Sequence, residues 1–128
     1  MIKIRPMMLN DFPVICEIIS SCGMYPPKEP ADMGGICLVA EECGNVIGTI
    51  WALVGNSTQA YIGYLAVMSE HEGKGVYSKL KEHLETLLRW HGVKRYRFVT
   101  NKNNEKFLPR IGGLGIAQDT VSVWGEII

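Results

Sequence analysis

The sequence has no excess of charge of either sign. Its 128 residues carry 13 Lys and Arg against 13 Asp and Glu, so the formal net charge is zero. Proteins that bind nucleic acid or anionic membranes through a broad surface show a basic excess. The balance therefore argues against both kinds of partner, although it leaves room for a local basic patch.

Long apolar runs are also missing. No run approaches the roughly 20 residues that a membrane-spanning helix needs. The first residues, MIKIRPMMLNDF, lack the apolar segment of a signal peptide and include Asp11. We expect a cytoplasmic protein that does not act on membranes.

Cysteines are few, and their spacing matches no zinc-binding signature. The four are Cys16, Cys22, Cys37 and Cys43. We interpret them as small buried hydrophobic residues in a reducing compartment, rather than as disulfide partners or metal ligands. No metal site is predicted.

Strand and helix patterns alternate in a way that is typical of one mixed α+β domain over residues 1–128. The predicted order is β-α-β-β-β-α-β-α-β. The predicted strands cover residues 2–5, 36–43, 46–55, 59–68 and 93–100, with a last strand or pair of strands over 116–128. One helix begins at Asp11 with Asn10 as its N-cap, a long helix follows residue 75, and a short helix covers 103–111.

Loops are predicted where Pro and Gly accumulate. Residues 21–35 contain three of each, which leaves little room for a helix. The pair Gly44-Asn45 predicts the tight turn of a hairpin between the second and third strands. Gly63 interrupts the alternation of the fourth strand, QAYIGYLAVM, and indicates a bulge or a close backbone approach.

A glycine-rich corner joins the fourth strand to the long helix. It reads Glu72-Gly73-Lys74-Gly75 and is followed by Val76 and Tyr77. The first N–H groups of a helix have no intrahelical partner, and the helix dipole favours an anion there, so this corner suits a phosphate. Glycine lets the backbone approach closely, and Lys74 supplies a cation. The alternative is a plain turn whose glycines serve only its geometry.

The order of elements and this corner resemble the GNAT superfamily of acyl-CoA-dependent N-acyltransferases over nearly the whole chain. IRPMMLNDFPVICEI is similar to the family's opening strand and helix. LAVMSEHEGKGVYSKL is similar to its pyrophosphate motif, which is Gln or Arg, two free residues, Gly, one free residue, and Gly or Ala. Of the three defining positions only Gly75 matches strictly, the others holding Glu72 and Tyr77. The spacing of the family's late segment is kept by Asn101, Phe107, Arg110 and Gly112.

The resemblance implies acetyl-CoA as the cofactor and α+β architecture with helices on both faces of a mixed sheet. It implies that the pyrophosphate is bound by Glu72, Gly73, Lys74, Gly75, Val76 and Tyr77. It places the pantetheine arm beside the fourth strand, at Leu65, Ala66 and Val67, and it adds Asn101 of the late segment to the cofactor-binding residues. A V-shaped slot opens there, and the Leu65 N–H polarises the thioester carbonyl.

Two catalytic groups that are customary in the family are missing from the matching positions. Residues 59–64 contain no Asp, Glu or His to act as the base, and Leu108 stands where a tyrosine acid is usual. Tyr61 and Tyr64 remain as candidates for relaying a proton or positioning water, against a plain role as half-buried strand aromatics. His71, beside the corner, is interpreted as an exposed loop residue, with a functional role at the site as the alternative.

The sequence therefore predicts an N-acetyltransferase whose acceptor is a primary amine of a small molecule or peptide. A catalytically silent CoA-binding module and a purely structural domain are the alternatives. The Pro- and Gly-rich loop over 21–35 implies that the family's usual second helix is reduced. We expect an open, shallow acceptor site, or one that a second subunit of a homodimer completes.

Overall fold

In the part of the chain that the structure describes, seven strands form one mixed sheet with the order β1-β2-β3-β4-β5-β7-β6. The computed structural model describes the backbone of residues 1–56, 59–101, 114–117 and 120–126, and the side chains of residues 1–55 and 59–98. The strands are β1 Ile2–Pro6, β2 Ile36–Glu42, β3 Asn45–Asn56, β4 Gln59–Val67, β5 Arg95–Asn101, β6 Leu114–Ala117 and β7 Thr120–Glu126. The α-helices are α1 Phe12–Ser21 and α2 Val76–Trp90, and short 3-10 helices cover Leu9–Asp11, Pro30–Met33 and Ser69–His71.

The two α-helices cover opposite faces of the sheet. α1 buries Ile15, Ile18 and Ile19 against Val39 of β2 and Ala66 of β4. α2 covers the other face, where its buried stripe is Val76, Leu80, Leu84 and Leu88. Each aliphatic side chain buried in this way stabilises the fold by about 1.5–3 kcal/mol. The predicted α+β class, with helices on both faces, is confirmed.

The β4–β5 pair is the parallel pair of the described sheet, and it separates early. Residues 59–62 of β4 pair with residues 95–98 of β5, ending at Ile62 opposite Phe98. β4 nevertheless continues to Val67 and β5 to Asn101. The two strands therefore diverge beyond Ile62, as the V-shaped slot requires.

A bulge in β4 lies where the strands diverge. Thr49 pairs with Ala66 and Trp51 pairs with Gly63, so Ile50 faces two residues of β4, Tyr64 and Leu65. The extra residue reverses the side-chain alternation of the strand. The α2 face receives Ala60 and Ile62 before the bulge, and Leu65 and Val67 after it.

The prediction of a bulge at Gly63 is therefore confirmed, with one difference. Tyr64, and not the glycine, adopts the left-handed conformation, with φ +49°. Gly63 serves close packing instead, since a Cβ there would lie 3.4 Å from Cε3 of Trp51.

Several predicted boundaries were wrong by one or two residues: β5 begins at Arg95 rather than at residue 93, and the α1 N-cap and the β2–β3 turn are each displaced by one residue. α1 begins at Phe12, and its N-cap is Asp11 rather than Asn10. The reason is that the Asp11 carboxylate closes the preceding 3-10 turn by accepting the Met8 N–H at 2.7 Å. The β2–β3 turn is centred on Cys43-Gly44, with φ +54° and +81°, because a two-residue hairpin turn of this kind needs positive φ at both central residues.

The C-terminal segment and the cysteines were also the subject of predictions. The last segment is a pair of strands, β6 and β7. All four cysteines are free, but only Cys37 of the four is buried, whereas Cys16 and Cys22 are half-buried and Cys43 is exposed, so the expectation of burial is confirmed for Cys37 alone. The helix predicted over 103–111, with Phe107, Leu108 and Arg110, lies outside the described residues, as does Gly112. Within the described part, no helix combines the length and the apolar character needed to cross a membrane.

Candidate functional site

The glycine corner exposes backbone at the start of α2. Gly73 and Gly75 have φ +83° and +81°, a region that L side chains rarely adopt. Gly75 is the N-cap of α2. A Cβ built on either glycine would meet no heavy atom within 4 Å. Both glycines are therefore required by conformation, and both leave an open approach to the backbone.

The side chains at the start of α2 point away from this approach. Val76 and Tyr77 are 2% and 4% exposed and belong to the core beneath the helix. Tyr77 lines a narrow apolar pocket together with Leu65 and Phe98. The bulky residue at the last motif position therefore packs inward and does not cover the corner.

Charged side chains surround the corner. Lys74 Nζ lies 3.3 Å from Oε1 of Glu42, at the end of β2, and 3.1 Å from Nδ1 of His71. Glu72, at the first motif position, is exposed. The corner thus presents one lysine beside two carboxylates, and its attraction for an anion depends chiefly on backbone N–H groups and the helix dipole.

The β4 bulge brings the proposed pantetheine-binding residues next to the diverging strands. The Leu65 and Val67 side chains are buried against α2 at 2% exposure each. Ala66, fully buried, pairs with Thr49 of β3. Asn101 is the last residue of β5 and pairs with Thr120 of β7. Leu65 therefore lies at the bulge, beyond the last β4–β5 pair.

Tyr64 projects from the opposite face of the bulge, toward α1. Its ring meets that of Trp51 edge to face at 5.6 Å. Burial raises the pKa of Tyr64, and the negative charge of Asp32 raises it further. Tyr64 is therefore a protonated phenol at neutral pH, able to donate a proton but unsuited to the role of base.

Tyr61 has a different environment from Tyr64. It lies before the bulge, opposite Leu53 of β3, and is 41% exposed. Tyr64, which is part of the bulge, is therefore the half-buried one of the two tyrosines, and Tyr61 is the exposed one.

Comparison with models of known protein families identifies the family of this chain. The model of the acetyltransferase (GNAT) family matches residues 7–112. This chain belongs to the GNAT family. The match includes α1, the β4 bulge, the glycine corner and α2.

Solved structures show the GNAT fold as well. Ard1 from Thermoplasma volcanium superposes with a TM-score of 0.81 at 19% identity, covering 99% of this chain and 98% of that one. The ribosomal-protein-S18-alanine N-acetyltransferase from Escherichia coli gives 0.79 at 18% identity, with coverage of 99% and 94%. No curated protein matches the chain.

A larger enzyme contains the same fold. N-acetylglutamate synthase from Neisseria gonorrhoeae, complexed with coenzyme A and N-acetyl-glutamate, gives a TM-score of 0.83 at 16% identity. The superposition covers 100% of this chain, which spans only 35% of the length of the synthase. Together with the GNAT membership, these likenesses establish the acetyltransferase fold of the chain.

Two residues of the site were missed by sequence reasoning. Glu42 contacts the GNAT corner from 32 positions away in the chain, and no local pattern around a hairpin turn signals such a contact. Trp51, which lies on β3, contacts the Tyr64 ring edge to face from the neighbouring strand. The register that sets Trp51 opposite Gly63 is a property of the folded sheet, and no local sequence pattern signals it.

Proposed function

We propose that this GNAT protein transfers an acetyl group from acetyl-CoA to a primary amine of a small molecule or peptide. One observation carries the proposal: the left-handed glycines Gly73 and Gly75 expose the start of α2 immediately after the bulged strand β4. Backbone that is open at a helix start suits a pyrophosphate, and the diverging strands leave room for an extended arm beside it.

The residues present suit coenzyme A in two ways. The corner offers backbone N–H groups with no Cβ at Gly73 or Gly75 to obstruct a phosphate. Leu65 lies at the bulge, where we propose that its N–H is directed at the carbonyl oxygen of the thioester. When bound, acetyl-CoA supplies the activated acyl group.

The chain then has to place an amine and manage one proton. Tyr64, held against Trp51, is the described side chain that we propose to face the reacting groups from the α1 side. Because its raised pKa keeps it protonated, we assign it the role of hydrogen-bond donor or acid. The amine loses its proton to water, so positioning and oxyanion stabilisation carry the rate enhancement.

The acceptor side of the site is open. Between α1 and β2, residues 22–35 contain a single 3-10 helix at Pro30–Met33. Gly35, with φ +99°, packs its backbone on β3, where a Cβ would lie 2.6 Å from the Ala52 carbonyl oxygen. This loop therefore leaves a shallow acceptor side beside Trp51. A shallow site favours an amine at the surface of a larger molecule, such as a peptide, over a substrate that has to be fully enclosed.

Two measurements on the purified protein test the proposal. Acetyl-CoA is expected to raise the melting temperature, because a ligand that binds only the folded state stabilises it. Acetyl-CoA with a panel of primary amines, including short peptides, is expected to release free thiol with at least one acceptor. No thermal shift and no thiol release would contradict the proposal.

A catalytically silent CoA-binding protein is the second candidate. It is favoured by the lack of Asp, Glu and His in residues 59–64 and by the protonated state of Tyr64. It predicts the same thermal shift with acetyl-CoA but no thiol release above the uncatalysed rate with any amine. The amine panel therefore separates the two functions.

A further inference from the structure

Three charged or titratable side chains from separate elements meet beside the glycine corner. Lys74 Nζ is 3.3 Å from Oε1 of Glu42 and 3.1 Å from Nδ1 of His71. The same His71 nitrogen is 3.7 Å from Glu42 Oε1. β2, the 3-10 helix Ser69–His71 and the corner each contribute one member of this cluster.

Within the cluster, Lys74 is the hydrogen-bond donor. An ammonium group has only donors, so Lys74 is the donor in its contact with Nδ1 of His71. The Lys74 ammonium group also pairs with Oε1 of Glu42, 3.3 Å away. The positive charge at the corner is therefore neutralised by a carboxylate of the same chain.

The lysine is free to change partners. Its side chain is 45% exposed, whereas that of Glu42 is 23% exposed. It is flanked on both sides by glycines with no heavy atom within 4 Å of their Cβ positions. A phosphate that approached the corner would compete with Glu42 for the same ammonium group.

We propose that Glu42 is an internal counter-ion that the pyrophosphate of the cofactor displaces from Lys74. Binding then exchanges one anionic partner of the lysine for another, and Glu42 weakens the affinity for the cofactor. Glu42 is a positioning residue that acts through Lys74 and makes no contact with the cofactor itself. The inference rests on the proposed function, because it needs a pyrophosphate at the corner.

A double-mutant cycle on coenzyme A affinity tests the exchange. The dissociation constant of coenzyme A is measured by calorimetry for wild type, Glu42→Gln, Lys74→Met and the double variant. Glu85→Gln is the matched control, because it removes another surface carboxylate, 2.9 Å from Lys81, at a position further along α2.

Glu42→Gln is expected to bind coenzyme A about 2- to 5-fold more tightly, the range set by exposed ion pairs, whereas Glu85→Gln binds like wild type. Lys74→Met is expected to weaken binding by a larger factor in the Glu42→Gln background than in wild type. In wild type the lysine has to leave Glu42 before it can pair with the pyrophosphate. The ratio of the two losses of affinity therefore measures how strongly Glu42 competes for Lys74.

The possible results distinguish failure of the Glu42 exchange from failure of the proposed function. If Glu42→Gln binds coenzyme A no more tightly than Glu85→Gln does, the exchange is overturned. Coenzyme A binding by wild type would still support the site in that case. Equal effects of Lys74→Met in both backgrounds would also overturn the exchange. Absence of binding by wild type would overturn the proposed function, and the exchange with it.

Discussion

The rings of Trp51 and Tyr64 meet edge to face, with centroids 5.6 Å apart and planes inclined at 62°. The indole is fixed because its Nε1 donates to the Gly34 carbonyl oxygen at 2.7 Å. Such an aromatic pair stabilises the folded state by about 0.5–1.5 kcal/mol. A non-glycine residue in the left-handed backbone conformation costs a comparable amount, about 1–2 kcal/mol. Trp51 therefore offsets the strain at Tyr64 and holds its ring beside the β4 bulge.

Replacing Tyr64 by Phe tests the role of its hydroxyl group. The ring contact with Trp51 is kept, so the fold is expected to be unaffected, whereas loss of a positioned proton donor is expected to lower kcat by about 100-fold or more. Tyr61→Phe is the matched control, because Tyr61 lies before the bulge, and it is expected to change kcat less than twofold. Equal effects of the two substitutions would contradict the placement of Tyr64 at the reacting groups.

The pH dependence of turnover is expected to follow the acceptor and not the enzyme. The raised pKa of Tyr64 leaves it protonated throughout the neutral range, so it does not withdraw a proton from the amine. The rate with subsaturating amine should therefore rise with pH until the acceptor's own ammonium group is deprotonated. Two acceptors of different pKa should give rising limbs displaced by that difference, and an inflection at one shared pH would reveal an enzyme base instead.

Asp11 is expected to be the acidic residue of the N-terminal segment that matters most for stability. Its carboxylate accepts hydrogen bonds from Arg5 at 2.7 and 3.0 Å and from the Met8 N–H, and Asp11 is only 7% exposed. Asp11→Asn should lower the free energy of unfolding by about 1–3 kcal/mol in urea titrations at pH 7. Asp32→Asn is the control, since Asp32 accepts the Glu29 N–H in the same way but is exposed, and it should cost much less.

Acid should remove the same contribution. The hydrogen bonds from Arg5 lower the pKa of Asp11 below its ordinary value of 3.8. A lowered pKa in the folded state contributes stability that is fully present above that ordinary value and is lost as pH falls through the lowered one. The difference in unfolding free energy between wild type and Asp11→Asn should therefore shrink below about pH 3.8, and a constant difference would show that the carboxylate charge is not involved.

Charge reversal at the first motif position should strengthen cofactor binding. Glu72 is exposed at the corner, and Glu72→Arg replaces a carboxylate with a group able to pair with a phosphate. Coenzyme A affinity should rise about fivefold, the effect of roughly 1 kcal/mol from an exposed ion pair. Glu70→Arg, also exposed but outside the motif, makes the same charge change, and an equal gain from it would indicate general attraction and not a contact at the corner.

Much of the fold was predictable because its signals are local. The α2 stripe repeats at helical spacing, and the strands around the hairpin show their boundaries through Gly and Pro. The bulge was also predictable at Gly63, yet the residue that takes the left-handed conformation is Tyr64, because the register to β3 and the contact with Trp51 decide which residue is extra.

The site was less predictable, because its side chains are placed by contacts between distant parts of the chain. Tyr77 departs from the Gly or Ala of the motif, and the first turn of α2 directs its side chain into the core. The pairing of Lys74 with Glu42 depends on how β2 ends beside the corner, which no pattern near either residue reveals. The glycines carried the reliable signal, since their conformational requirement belongs to the backbone itself.

The two ends of α2 provide the most direct test of the phosphate-binding corner. Gly75 precedes the helix with φ +81°, and Gly92 follows it with φ +78°. Glu at either position introduces the same negative charge and a comparable left-handed strain of about 1–2 kcal/mol. The measurement is the calorimetric dissociation constant of coenzyme A. Gly75→Glu is expected to abolish binding while Gly92→Glu binds like wild type, and wild-type affinity in Gly75→Glu would contradict the account.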